Sequence, residues 1–321
     1  MGLIEKANKT IELRTQYTNA YQNGDIEAGK KIELEYLKLR SEVLGEVDDE
    51  VARQRSMPIS KVKERVAAKP KRPKRETGIR SLDRALVSDR DAMFGKVGGF
   101  AVGSYVQIAG SRGAGKTSIM MKIMTGLSLV ERVCWFDFEI GQKRVTEKIE
   151  AFTHNDTNLL YYNASRDLDD VIGEIKLLQA TGVEHFVIDS TMKISVSGVH
   201  DRYERYSTIS QRLSELTSTL GINIYIINQM SQSAERDGVL AIKHGNDAEY
   251  DADYIIYVLK KRIIENGKAK KDQYGMNLFD ETMRLIRIEK NREDDRTLTV
   301  EVPKDEIFQS EPTIIEYQEE L

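Results

Sequence analysis

Ser104–Thr117 reads SYVQIAGSRGAGKT, and this stretch decides how the rest of the chain is read. Its opening, Ser104 to Ala109, is a short, β-rich apolar run that predicts a buried strand. The continuation, GSRGAGKT from Gly110 to Thr117, satisfies every position of the pattern G-x-x-x-x-G-K-[ST]. Glycines let such a loop wrap with its amides facing inward, and a helix beginning near Lys116 adds the positive end of its dipole. Gly110, Ser111, Arg112, Gly113, Ala114, Gly115, Lys116 and Thr117 therefore form a predicted phosphate cradle. Lys116 is placed to reach the β and γ phosphates, and the Thr117 hydroxyl suits Mg²⁺. Ser118 to Leu129 predicts the apolar helix that must follow.

Outward from the cradle, the residues from Glu76 onward alternate short apolar strands with amphipathic helices. That pattern predicts an α/β domain whose mostly parallel sheet is covered on both faces. Expected strands are Arg132 to Phe138, Leu159 to Asn163, His185 to Asp189 and Ile222 to Asn228. Helices are expected near Gln142 to Phe152, Leu168 to Ala180 and Tyr203 to Leu220. DADYIIYVLKK from Asp251, MRLIRIEKNR from Met283 and TLTVEVP from Thr297 read as late, antiparallel strands. Glu265 to Glu281 reads as a surface hairpin or loop.

Ligands in such sheets collect at the carboxyl ends of the strands, so the residues there are the candidates for chemistry. Asp189 ends the run HFVI and suits Mg²⁺, directly or through water; the plainer reading is a loop cap. Glu139 is placed to orient and polarise an attacking water, Gln229 to hydrogen-bond a γ-phosphate. Each has a bland alternative as an ordinary polar strand end. Lys290 and Arg292 alternate on one strand face, where a cationic pair can neutralise charge on a transferred phosphoryl group or simply decorate an edge.

Before Glu76 the pattern is helical, breaking at Asn23-Gly24 and restarting with Asp25 as N-cap. Ile32, Tyr36, Leu39 and Val43 then form an apolar stripe. A hairpin this small predicts a stripe that packs against something else, such as a neighbouring subunit; a private hairpin is the alternative. The expected organisation is a helical hairpin or oligomerisation region over 1–68, a basic linker over 69–76 and the main domain over 77–321. Residues 1–75 carry 17 Lys and Arg against 12 Asp and Glu, a net of +5 within a whole-chain charge of −4. Lys61 to Arg75 reads equally as a nucleic-acid contact or a solvated hinge. The acidic C-terminal tail reads as solvation.

Composition narrows the classes further. No run of about eighteen apolar residues occurs and the N-terminus is too polar for a signal peptide, which predicts a cytoplasmic protein with no membrane partner. Cys134 is the single cysteine, so no intrachain disulfide can form. The four histidines lack zinc-ligand spacing.

TGIRSLDRAL from Thr77, WFDFEIGQKRV from Trp135, HFVIDS from His185, INIYIINQMSQSAER from Ile222, EYDADYIIYV from Glu249 and IEKNRE from Ile288 occur in that order. Together with the cradle they resemble the RecA-fold motor domain of the DnaB-type hexameric replicative helicases, over roughly Thr77 to Tyr317. The resemblance implies ATP as the nucleotide and a homo-oligomer, a ring of six, with ATP between neighbours. Lys116, Thr117, Asp189, Glu139 and Gln229 would act from one side, Lys290 and Arg292 from the next subunit. It also implies single-stranded DNA in a central channel, contacted through Thr191 to Tyr206, with Lys193, Arg202, Tyr203 and Arg205, and through Ser231 to Glu249, with Arg236, Lys243 and His244. A primase or helicase loader is an implied partner.

Three features depart from that family. Only about seventy-five residues precede the motor, where the family has a helical domain of about a hundred. GSRGAGKT looks more like the RecA and RadA type of loop, and VSDRDAMFGKV from Val87 is an insertion. The compact form suits a phage- or plasmid-encoded helicase. A RecA-like or RadA-like recombination ATPase and an ATP-gated loader or regulatory module are the alternative functions.

Overall fold

The computed structural model describes residues 1–55, 58–68, 74–87, 98–153, 155–231, 240–242, 248–294 and 296–308. The insertion from Val87, most of the basic linker, Arg236, Lys243, His244 and the acidic tail lie outside the described residues, wholly or nearly so. The chain divides into two compact units, 1–72 with 167–184 and 73–166 with 185–321.

The first unit is helical. Helix α1 (Leu3–Gln22) and helix α2 (Ile26–Arg55) are joined by a tight turn, and the Asp25 carboxylate caps α2 by accepting the Ala28 amide at 3.1 Å. The stripe predicted on α2 is covered inside the chain: Tyr36 and Leu39 cluster with Leu13 of α1, and Tyr17 and Ile32 pack against them. Helix α3 (Ile59–Ala68) follows, and the unit's remaining helix comes from much later in the sequence. Between strands β3 (Leu159–Tyr162) and β4 (Val183–Asp189), helix α7 (Leu168–Gln179) groups with the N-terminal helices. Its buried Glu174 pairs with Arg14 at 2.5 Å, and its Lys176 pairs with Asp48 at 2.5 Å. Gly173 makes the approach possible, because a side chain there would begin 2.6 Å from the Arg40 guanidinium.

The second unit is built on an eight-stranded sheet, here given with its helices in chain order. They are α4 (Arg80–Ala85), β1 (Tyr105–Gly110), α5 (Lys116–Leu127), β2 (Arg132–Asp137), α6 (Gln142–Glu150), β3, β4, α8 (Arg202–Leu220), β5 (Asn223–Gln229), α9 (Ala248–Asp251), β6 (Tyr254–Arg262), β7 (Ile264–Glu265), β8 (Lys268–Ala269), β9 (Phe279–Asn291), β10 (Leu298–Pro303) and α10 (Lys304–Phe308). The strand order is β10-β9-β6-β1-β5-β4-β2-β3, with β7 and β8 forming a separate hairpin.

Strand β1 sits between β5 and β6 and runs parallel to both, with Gly110 opposite Gln229 on one side and Val258 on the other. The parallel β6 corrects the expectation that all late strands are antiparallel. Tyr254 to Val258 are consecutively buried, the mark of a strand covered on both faces. Strands β9 and β10 are antiparallel, and β9 shows partial alternation of buried and less buried residues. The core joins Met120, Met121, Ile123 and Met124 of α5 to Val106 and Ile108 of β1, Trp135 of β2, and Ile256 and Val258 of β6. Each such side chain, once fully buried, contributes roughly 1.5–3 kcal/mol. This packing fixes the carboxyl ends of β1, β2, β4 and β5, and hence Gly110, Asp137, Asp189 and Gln229.

Candidate active site

The loop after β1 takes its shape from two constraints. A side chain at Gly110 would begin 2.3 Å from the Val258 carbonyl oxygen of β6, closer than any real contact. Gly115, which caps α5, has φ 104°, in the left-handed region that glycine tolerates. The loop therefore closes tightly over the end of β1 and delivers the α5 N-terminus. Lys116 folds over it, donating to the Gly110 and Ser111 carbonyls at 3.0 Å each.

Around the loop lies a cavity of about 660 Å³ lined by every cradle residue from Gly110 to Thr117 and by Glu139, Asp189 and Gln229. Residues spread over more than a hundred positions thus meet in one place. The Thr117 hydroxyl donates to Asp189 at 3.1 Å, placing two hard oxygen ligands side by side. That donor set fits Mg²⁺. Among the described residues no group of three or more His, Cys, Asp or Glu side chains could hold a metal by itself. A magnesium ion would therefore complete its shell with phosphate and water oxygens. Burial raises the Asp189 carboxyl to about 7, with the Glu139 charge adding to the rise and the Thr117 hydroxyl opposing it. A cation beside it would reverse that shift.

Glu139 is exposed and stands on a turn held from two sides. The Asp137 carboxylate accepts the amides of Glu139 and Ile140 at 3.1 and 3.0 Å, and the Phe138 amide donates to the Asp189 carbonyl at 2.7 Å.

Lys290 and Arg292 do not line this cavity. Lys290 lies opposite Ile255, near the start of β6, and donates to the Glu249 and Tyr250 carbonyls at 2.9 and 3.0 Å. Arg292 pairs with Asp253 at 2.7 Å while remaining largely exposed. Because β6 is parallel to β1 and reaches Gly110 only at Val258, the pair sits at the opposite end of the strands from the cradle. Burial and the neighbouring Arg292 charge hold the Lys290 ammonium below its usual range.

Of the cations predicted for a channel, Lys193 is exposed in a single helical turn after β4. Arg202 and Arg205 belong to the first turns of α8 rather than to a loop, because Asp201 caps that helix by accepting the Tyr203 and Glu204 amides at 2.8 and 2.9 Å.

Sequence reasoning missed several lining residues: Lys148, Arg284, Lys304, Ile307 and Phe308. Arg284 is buried, and its Nε donates to the Ala114 carbonyl at 3.0 Å, bracing the cradle from β9. The available signal was an arginine at the start of the otherwise apolar alternation of MRLIRI.

No protein-family model matches the chain. The DNA repair protein RadA of Streptococcus pneumoniae (strain ATCC BAA-255 / R6) is 25% identical over 150 residues, 46% of this chain, and the chain spans about a third of that relative, 35% of its length. Among solved structures, the ATPase domain of a DnaB-like helicase matches with a TM-score of 0.55 at 16% identity, covering 76% of this chain and 92% of that one. The KaiC-like protein PH0186 from Pyrococcus horikoshii OT3 matches with a TM-score of 0.52 at 17% identity, covering 73% and 94%. Sheet order, cradle and these likenesses agree that the chain is an α/β protein with a RecA-like P-loop ATPase core and a helical N-terminal region.

Proposed function

We propose that the protein is an ATP-hydrolysing motor that moves along single-stranded DNA as a ring of subunits, a helicase of the DnaB type. The observation that carries the ATPase reading is the convergence of Lys116, Thr117, Asp189, Glu139 and Gln229 on one cavity. In this reading the loop amides and Lys116 bind the phosphates, while Thr117 and Asp189 hold the Mg²⁺ that screens their charge. Glu139 orients the attacking water, and Gln229, on the strand beside Gly110, senses the terminal phosphate and passes its loss to the segment after Met230. Lys290 and Arg292, remote from their own cavity, serve that of the next subunit.

The likeness to RadA and the RadA type of cradle favour a second reading, a recombination ATPase acting on paired DNA strands. One experiment separates the two. ATP-dependent opening of a forked duplex is measured for the wild type and Lys116→Ala at one stated salt concentration, beside a strand-exchange assay. Fork opening by the wild type alone supports the helicase; strand exchange without fork opening supports the recombination reading. DNA-independent turnover with neither activity would overturn both.

A further inference from the structure

Asp137 is fully buried at the end of β2, two residues before Glu139, and no motif named above assigns it a role. Its carboxylate is used completely. One oxygen accepts the Glu139 and Ile140 amides, and the other accepts the Tyr161 hydroxyl of β3 at 2.9 Å. Tyr161 in turn accepts from the Asn163 side-chain amide at 3.2 Å. Burial, with the Asp137 charge assisting, raises the Tyr161 phenol above its ordinary range, so the phenol stays a neutral donor at working pH.

The turn that carries Glu139 thus has a fixed frame. Its Phe138 amide is tied to the Asp189 backbone, and its next two amides are tied to Asp137. Without those ties, Glu139 would swing on an exposed loop. A general base or water-orienting group must be held to within about half an ångström of its productive position, and a 1 Å displacement can cost about a hundredfold in rate.

We propose that Asp137 and Tyr161 are positioning residues for Glu139: the buried carboxylate, fixed by the phenol, sets the turn from which Glu139 addresses the terminal phosphate. The inference rests on the ATPase reading above. It makes Tyr161 and Asn163, on a strand at the far edge of the sheet from β10, part of the hydrolytic machinery without touching the nucleotide.

The test is a double-mutant cycle between Tyr161→Phe and Glu139→Gln in the full chain, with steady-state hydrolysis and nucleotide affinity measured for each. Tyr161→Phe removes one hydroxyl and preserves the ring. It is expected to lower kcat by roughly tenfold to a hundredfold, with KM and nucleotide affinity unchanged. In the Glu139→Gln background the same substitution should change nothing further, because its target is already lost. Asp137→Asn keeps an acceptor for the two amides and should fall between wild type and Tyr161→Phe. Full kcat in Tyr161→Phe, an equal loss in both backgrounds, or a parallel loss of nucleotide affinity would overturn the positioning role. A wild type that binds nucleotide without hydrolysing it would instead overturn the ATPase reading, and this inference with it.

Discussion

Asp189 carries a conflict that pH can expose. In the folded chain burial, then the Glu139 charge, lifts its carboxyl to about 7, against an ordinary value of 3.8. The folded state therefore holds this proton more tightly than the unfolded state. Its stabilising contribution is complete below about pH 4 and is lost as pH rises through about 7. Replacing Asp189 with Asn removes that loss, worth on the order of 4 kcal/mol. Without Mg²⁺ or nucleotide, Asp189→Asn is expected to melt several degrees above the wild type at pH 8, the gap closing toward pH 5, while its hydrolysis is lost. A gap independent of pH would contradict the assignment. Asp189 and Glu139 were legible in the sequence because each follows an apolar run that had to be a buried strand. Arg284 was not, since an arginine among apolar residues reads as an exposed strand face until β10 and α10 cover it. Asp137 was equally hidden: its role depends on Tyr161, whose pairing with Trp135 across β2 and β3 only the folded register supplies.

Among the elements, β6 shows how much a neighbour can decide. Its apolar run identified a strand, but its direction follows from lying against β1, with Val258 beside Gly110. The close approach makes Gly110 a packing residue as well as a phosphate residue. Gly110→Ala would drive a methyl into the Val258 carbonyl and is expected to cost roughly 1–3 kcal/mol in addition to weakening nucleotide binding. Denaturant unfolding would report the first effect even where the second is masked. Helix α7 was correctly read as a helix, with nearly the observed bounds, yet its grouping with α1 and α2 was invisible. The deciding contacts, Arg14 with Glu174 and Asp48 with Lys176, join positions more than a hundred residues apart. Glu174→Ala should loosen α1 and raise its amide hydrogen-exchange rates, leaving β1 and α5 unchanged; uniform acceleration would show the pair to be part of the main core instead.

At the scale of the whole molecule, Lys290 and Arg292 sit at the end of the strands away from their own cradle. An arginine acting between subunits is worth roughly 10³ to 10⁵ in rate. Arg292→Ala should lose turnover by that order while each subunit still binds nucleotide. Lys116→Ala should be equally inactive, and the two variants mixed should recover part of the lost rate, since one brings an intact cradle and the other an intact arginine. Absence of any recovery on mixing, in preparations shown to exchange subunits, would mean that Arg292 acts within its own chain.

The central place of β1 has a consequence for the making of the protein. Its two neighbours, β5 and β6, begin at Asn223 and Tyr254, so the strand that delivers the phosphate cradle emerges from the ribosome long before either partner exists. At about 5–20 residues per second, that wait lasts on the order of ten seconds or more. Throughout it the cradle strand is a bare apolar ribbon with both edges open, and nucleotide cannot act as a template for folding. A ribosome stalled before Val258 would release a chain with its most aggregation-prone strand unpaired on one side, so the binding site is among the last parts of the protein to become real.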